Sequence, residues 1–298
     1  MSLSFVWQLT HRYPQDIANF SLCLLTIFSQ FKIEINSFHG AYVRQIIKTR
    51  LLAFIVHLGV SALLGGAIFS LIYFVWFPSP YFLLTSGREL FLLLLECDVV
   101  LGPLLTLVIF DISKPQRELR RDLMIIACIQ LLALGYGLHV IFQVRPMYVV
   151  FNGDQFNVVA ANEVTKDPKF GGARSLSIRM LLGPEIMGAI LPDNEDERQI
   201  ILRSSIGGGP DLSGMPKYFV PYDQIKGTVK KKALSARDFA EQNKITAMNL
   251  TRIESDYKQR QDPVGFVPVV VQSRFRYAAG VVSLASGELL QVASVETK

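Results

Sequence analysis

Three long apolar stretches crowd the first half of the chain, roughly Leu51–Phe77, Leu90–Ile112 and Leu123–Val144, and none follows them. Each supplies the roughly 20 apolar residues that a helix needs to cross the hydrocarbon core of a bilayer. The chain of 298 residues is therefore constrained to a membrane anchor followed by a separately folded region. That region, about 150 residues after Val144, is large enough for one domain with its own core.

Charge sets the expected orientation. Lys48 and Arg50 precede the first stretch, and Lys114, Arg117, Arg120 and Arg121 fill the connection 113–122. The connection 78–87 carries no charge before Arg88. Short loops rich in Lys and Arg stay on the cytoplasmic side, so the amino terminus and 113–122 are expected inside and 78–88 outside. Three crossings then export everything after Val144, which in a bacterial cell means the periplasm. Tyr73, Phe74, Trp76 and Phe77, at the outer end of the first stretch, suit an interfacial aromatic belt.

The expected division is a cytoplasmic extension over 1–47, a three-helix transmembrane domain over 48–144 and a periplasmic domain over 145–298. Inside the extension, Ile17–Phe28 is apolar, but about a dozen residues is too short to span. It reads as an interfacial helix. Alternatively, the start is assigned too far upstream, because Val43–Arg50 has the character of a native cytoplasmic terminus. The formal net charge of +5 is scattered, which argues against nucleic acid. Cys23, Cys97 and Cys128 all lie in apolar segments, so the exported domain has neither disulfides nor thiolate ligands.

The polar residues inside the apolar stretches are the candidate site. Glu96 and Asp98 sit near the middle of the second stretch, where an acidic residue costs about 2.5–3.5 kcal/mol. Two positions apart on a helix, they point about 200° from one another and form no paired site by themselves. His57, Gln130, His139 and Gln143 are candidate partners. Gly102-Pro103 should kink the helix and free a carbonyl near Asp98–Val99 for those groups to satisfy. Two readings stay open: a proton or ion relay through Asp98, Glu96 and His57, or a hydrogen-bonded lock that fixes helix packing or a partner helix. Gly59, Ala62, Gly65, Gly66, Gly135 and Gly137 offer small surfaces for close helix approach. Arg145 is expected to anchor the end of the third helix at the headgroups. The partner-binding or helix-packing candidates are thus His57, Glu96, Asp98, Gly102, Pro103, Gln130, His139 and Arg145.

The exported part reads as an α+β domain with an antiparallel sheet and helices on one face. Asn152-Gly153-Asp154 marks a hairpin between two β-rich runs. Helices are expected over Asp193–Arg203, from Ser235 through Lys244, and over Ala247–Gln261, with a short strand at Tyr218–Tyr222. Strands are expected over Val264–Gln272, Phe275–Leu284 and Glu288–Ala293, with Ser286-Gly287 as a turn. No histidine follows His139, which removes Ser-His-Asp chemistry and His-ligated metals from this domain. Gly207-Gly208-Gly209 lacks the Lys-Ser/Thr of a phosphate loop. Lys230–Lys232 reads as a solvated surface. No catalytic residue, cofactor or metal site is expected.

Lys48-Thr49-Arg50-Leu51-Leu52-Ala53-Phe54, Asp98-Val99-Val100-Leu101-Gly102-Pro103-Leu104-Leu105-Thr106-Leu107, Gln130-Leu131-Leu132-Ala133-Leu134-Gly135-Tyr136-Gly137, and Arg145-Pro146 through Phe151-Asn152 together resemble the TfpX/TfpZ family of type IV pilin accessory proteins. The resemblance covers about Lys48–Gly172, and beyond it the layout alone matches. The 1–42 extension departs from the family pattern. The resemblance implies a non-enzymatic inner-membrane protein that assists its cognate type IV pilin, and the pilus assembly machinery, in forming surface pili. Its partners would be the pilin and the lipid bilayer. A small membrane sensor or transport subunit using the buried carboxylates is the alternative.

Overall fold

A computed structural model describes residues 40–171, 183–271 and 276–295. Helix α1 spans Gly40–Leu71 and ends in a wider π turn, Ile72–Trp76. A short α2 (Tyr81–Leu84) and α3 (Gly87–Leu95) follow. A π segment, Glu96–Leu101, joins α3 to α4 (Gly102–Ile109), and α5 runs Gln116–Val144. Arg44–Trp76, Gly87–Ile109 and Gln116–Val144 are each long and apolar enough to cross a membrane. Helix α1 opens well before Leu51, so the basic pair Lys48 and Arg50 lies within it. The readings of 1–42 otherwise fall outside the described residues.

The bundle from Leu52 onward is closed at one end. Ile68, Ile72, Phe77, Phe82, Phe91, Leu94 and Ile141 form a buried cluster there. Phe69 lies 5.1 Å from Phe91 between ring centroids, and Tyr73 meets Phe82 edge-on at 5.4 Å. Gly87 opens α3 directly against Phe77: a Cβ added there would stand 2.8 Å from the Phe77 ring. Gly137 and Gly65 likewise admit Leu94 and Leu95 at close range, whereas Gly59, Gly66 and Gly135 face open space.

After α5 the chain forms a sheet domain. Strands β1 (Pro146–Asn152) and β2 (Gln155–Ala160) make the hairpin, with Gly153 at a φ of 74° in its turn. Strand β3 (Glu185–Ala189), α6 (Glu195–Ile206), β4 (Phe219–Pro221), α7 (Lys226–Lys232), α8 (Ala236–Asn243) and α9 (Met248–Gln259) follow. The domain finishes with β5 (Val264–Val271), β6 (Arg276–Ser283) and β7 (Leu289–Ser294). Two of these helices start on side-chain caps. Asn194 accepts from the amides of Asp196 and Glu197, and Ser235 accepts from that of Asp238. Of the expected strand ends, Gln272 and Phe275 lie outside the described residues.

The expectation of an antiparallel sheet is corrected. The strand order is β4-β3-β1-β2-β5-β6-β7, with β1 parallel to β3 and β2 parallel to β5. The hairpin and the carboxy-terminal meander are antiparallel, as their short turns require. Parallel neighbours need long crossovers, and the chain supplies them between β1 and β3 and, with four helices, between β2 and β5. Helices also cover both faces, because the strands bury both sets of side chains. Val149, Phe151, Val267 and Val269 pack with α7 on one face. Tyr148 and Val150 pack with Ile201 of α6 on the other, and Phe266 and Val281 pack with Phe239 of α8 and Leu250 of α9.

Two devices tie bundle to sheet. Tyr81 and Leu84 of α2, in the connection 78–86, are buried in the first of those sheet faces. Burial pushes the Tyr81 phenol up to about 12. At the end of α5, the turn after β2 supplies amides to carbonyls that a helix end leaves open. Asn162 N donates to the Gln143 carbonyl at 2.9 Å and Ala161 N to that of Arg145 at 3.0 Å.

Candidate functional site

Away from its aromatic end the bundle is cleft. The buried cluster recruits nothing from α1 before Ile68. A cavity of about 200 Å³ lies there between α1, α3, the π segment and α5, with Ile68, Phe91 and Leu94 of the buried cluster at its inner end. His57, Ser61 and Gly65 line it from α1, Asp98 and Val99 from the π segment, and Gln130 from α5. Val60, Leu64 and Leu131 also line it and are exposed, so it opens sideways between α1 and α5.

Pro103 explains the local backbone. It has no N–H to donate and its ring crowds the carbonyl of Val99, four residues back, so the helix widens by a residue into the π segment. The carbonyl of Asp98 is thereby turned toward α5, where Gln130 Nε2 donates to it at 3.4 Å. Gly102 makes this possible, since a Cβ there would lie 1.8 Å from Gln130 Nε2. The expected break at Gly102-Pro103 takes the form of this π segment, and Gln130 meets the Asp98 carbonyl.

His57 pairs with a residue that the sequence reading passed over. His57 Nδ1 lies 2.6 Å from Thr106 Oγ1, and that hydroxyl lies 3.2 Å from the Gly102 carbonyl. One hydroxyl proton serves both contacts only if His57 Nδ1–H donates to Thr106 and Thr106 donates to Gly102. The available signal was spacing: Thr106 sits one helical turn after Gly102, on the same face. The Asp98 carboxylate is different. Its Oδ2 is buried and has no hydrogen-bond partner among the described residues.

The remaining candidates stand apart. Glu96 is exposed and does not line the cleft. His139 Nε2 lies 2.7 Å from Gln143 Nε2, one turn along the same helix. Arg145 is 2% exposed and folds back onto α5, its Nη1 donating to the Phe142 carbonyl and its guanidinium carbon 3.6 Å from the Phe142 ring centre. So His57, Asp98, Gly102, Pro103 and Gln130 come together, while Glu96, His139 and Arg145 do not join them. Among the described residues no three His, Cys, Asp or Glu side chains gather as a metal-holding group.

What the cleft can do chemically is limited and specific. His57 Nδ1 and the Gln130 amide are engaged, the Ser61 hydroxyl lines the wall, and one buried carboxylate oxygen has no partner among the described residues. It suits recognition more than turnover.

No family profile and no solved structure matches the chain. Three curated proteins of Dichelobacter nodosus do. The fimbrial assembly protein of serogroup I is 32% identical over 183 residues, covering 60% of this chain and 68% of the relative. That of serogroup E1 is 27% identical over 219 residues, covering 72% of this chain and 84% of the relative. That of serogroups C1 and C2 is 39% identical over 117 residues, covering 38% of this chain and 84% of the relative. Three apolar helices, a folded domain fixed to them and these likenesses lead to one assignment: the chain belongs to the family of fimbrial assembly proteins.

Proposed function

We propose that this protein is an inner-membrane accessory factor that helps its cognate type IV pilin assemble into surface pili without performing chemistry. Residues 48–144 cross the inner membrane, the basic connection 113–122 faces the cytoplasm, and 145–298 form the periplasmic domain. The bundle contacts the apolar helix of a membrane-stored pilin, and the sheet domain contacts the pilin head.

The observation that carries this reading is the seat of α2 in the sheet core, through Tyr81 and Leu84. A protein that holds a partner both inside and outside the bilayer needs its two surfaces fixed to one another, and that seat supplies the fixture. The names of the relatives support the assembly role. A transport or sensing subunit finds less support, because His57 is engaged with Thr106 and Glu96 does not line the cleft that holds Asp98.

The test compares surface pili with total cellular pilin in a strain lacking the gene. Pilin retained with few surface pili is the expected result. Unchanged piliation would sink the reading.

A further inference from the structure

We infer that the cleft between α1 and α5 seats one face of an apolar transmembrane helix of the pilin, and that this helix carries a single hydrogen-bond donor for Asp98. The inference rests on the pilin reading and adds to it the chemistry that the membrane part of the partner must have.

The argument starts from the inventory of polar groups. His57 Nδ1 pairs with Thr106, the Gln130 amide donates to the Asp98 carbonyl, and the Ser61 hydroxyl lines the cleft without bonding Asp98 Oδ2. That leaves Asp98 Oδ2 as the buried side-chain oxygen in the cleft without a partner among the described residues. Ionised, or with the carboxyl proton on Oδ1, this oxygen is an acceptor, and its complement is then a donor. Inside a bilayer no bulk water is at hand to supply one, and an unmet polar group there is costly. The donor must arrive on something that is itself stable in the membrane.

Size and shape select a helix face. A cavity of about 200 Å³ is too small for a whole helix, whose diameter with side chains is about 10–12 Å, but holds two or three of its side chains. The mouth is lateral, between the exposed Val60 and Leu64 on α1 and Leu131 on α5, so entry comes from within the membrane plane. Gly65 lines the cleft on the opposite side, where an added Cβ would stand 3.3 Å from Leu95. The occupant therefore lies alongside the gap and turns one polar and one or two apolar side chains inward.

Site-specific photo-crosslinking in cells tests this. A photoreactive phenylalanine analogue replaces Val60 or Leu131, which line the cleft, or Leu63 or Leu132, which are 78% and 75% exposed and do not line it. Crosslinks to pilin from the first pair and not from the second are expected. With Asp98→Leu the crosslink should fall about tenfold, and with Asp98→Asn, which keeps an acceptor oxygen, by less than about threefold. Protein level is followed by immunoblot. If Asp98→Leu is not retained in the membrane, Leu64→Trp, which fills the cleft from its exposed mouth, takes its place and should abolish the crosslink. Pilin crosslinks of equal strength from all four positions, crosslinks to a second copy of this chain, or only lipid adducts would each overturn the inference. A pilin crosslink indifferent to Asp98 would overturn it and leave the pilin reading standing, whereas unchanged piliation without the gene removes that reading itself.

Discussion

The two ends of the helix bundle are built on opposite plans. Toward the sheet domain, aromatic and aliphatic side chains close the three helices around Phe77 and Ile72, both fully buried. Further along, a cavity lined by His57, Asp98 and Gln130 separates the helices, with the exposed Val60, Leu64 and Leu131 at its mouth. One end spends its side chains on its own packing. The other holds apolar surface and a carboxylate oxygen in reserve, which is how a binding surface differs from a core.

The largest expected effect tests the closed end. Phe77→Ala should destabilise the detergent-solubilised protein by about 3–5 kcal/mol, the usual cost of removing a fully buried aromatic. Leu64→Ala at the mouth of the cleft should cost less than about 1 kcal/mol. Thermal unfolding of the two variants side by side reads the contrast, and equal losses would erase it. Next comes Gly87→Ala, whose methyl group meets the Phe77 ring at 2.8 Å within a packed cluster. Overpacking of that kind costs about 1–3 kcal/mol, while Gly66→Ala, facing open space, should shift stability by no more than about 0.5 kcal/mol.

At the open end Gly102→Ala should behave differently. The colliding atom is the far end of a flexible side chain, so Gln130 can swing aside and lose its bond to the Asp98 carbonyl. A loss of about 0.6–1.7 kcal/mol is expected, the range for hydrogen bonds between membrane helices. Gln130→Leu should cost a similar amount, and the double variant should cost no more than either alone. Additive losses would show that Gly102 serves something other than Gln130.

The smallest effect lies in the sheet domain. Glu197 accepts from Lys217 at 3.1 Å and from the Tyr218 hydroxyl at 3.0 Å. The bond from Lys217 leads in holding its carboxyl below the ordinary carboxylate range. A depressed folded-state value means that its contribution is present above the unfolded carboxylate range and is lost as pH falls through the folded value. Melting temperatures between pH 7 and 3 should therefore decline slightly more for the natural protein than for Glu197→Gln. Parallel curves would assign that pairing no weight.

Sequence and structure agree where the determinants are local. Apolar length marks the three helices, Asn194 and Ser235 mark two helix starts, and Gly153 and Gly287 mark two turns. The Gly102-Pro103 pair pointed to a freed carbonyl because a missing N–H is a property of a single residue. The parallel pairings of β1 with β3 and β2 with β5 were not legible, since nothing in either strand records a neighbour that arrives after a long crossover. Thr106 was missed for a related reason: a hydroxyl in an apolar helix ordinarily bonds its own backbone, and its second partner, His57, lies 49 residues earlier in the chain. That Asp98 faces the cleft and Glu96 does not depends on the rotation set by the π segment. A regular helical count separates the two residues without saying which one turns inward.

The burial of α2 in the sheet core bears on strength of grip. A partner caught at either surface is presented to the other across a fixed span, so the second contact forms as an intramolecular step. Even flexible linkers give such steps effective concentrations of about millimolar, and a rigid, well-matched spacing does better. Two contacts, each too weak to hold alone, then multiply into one firm hold that dissolves quickly once either lets go. For an accessory factor of the proposed kind, avidity would serve better than a single tight site, and a loosened α2 seat would forfeit it with both surfaces intact.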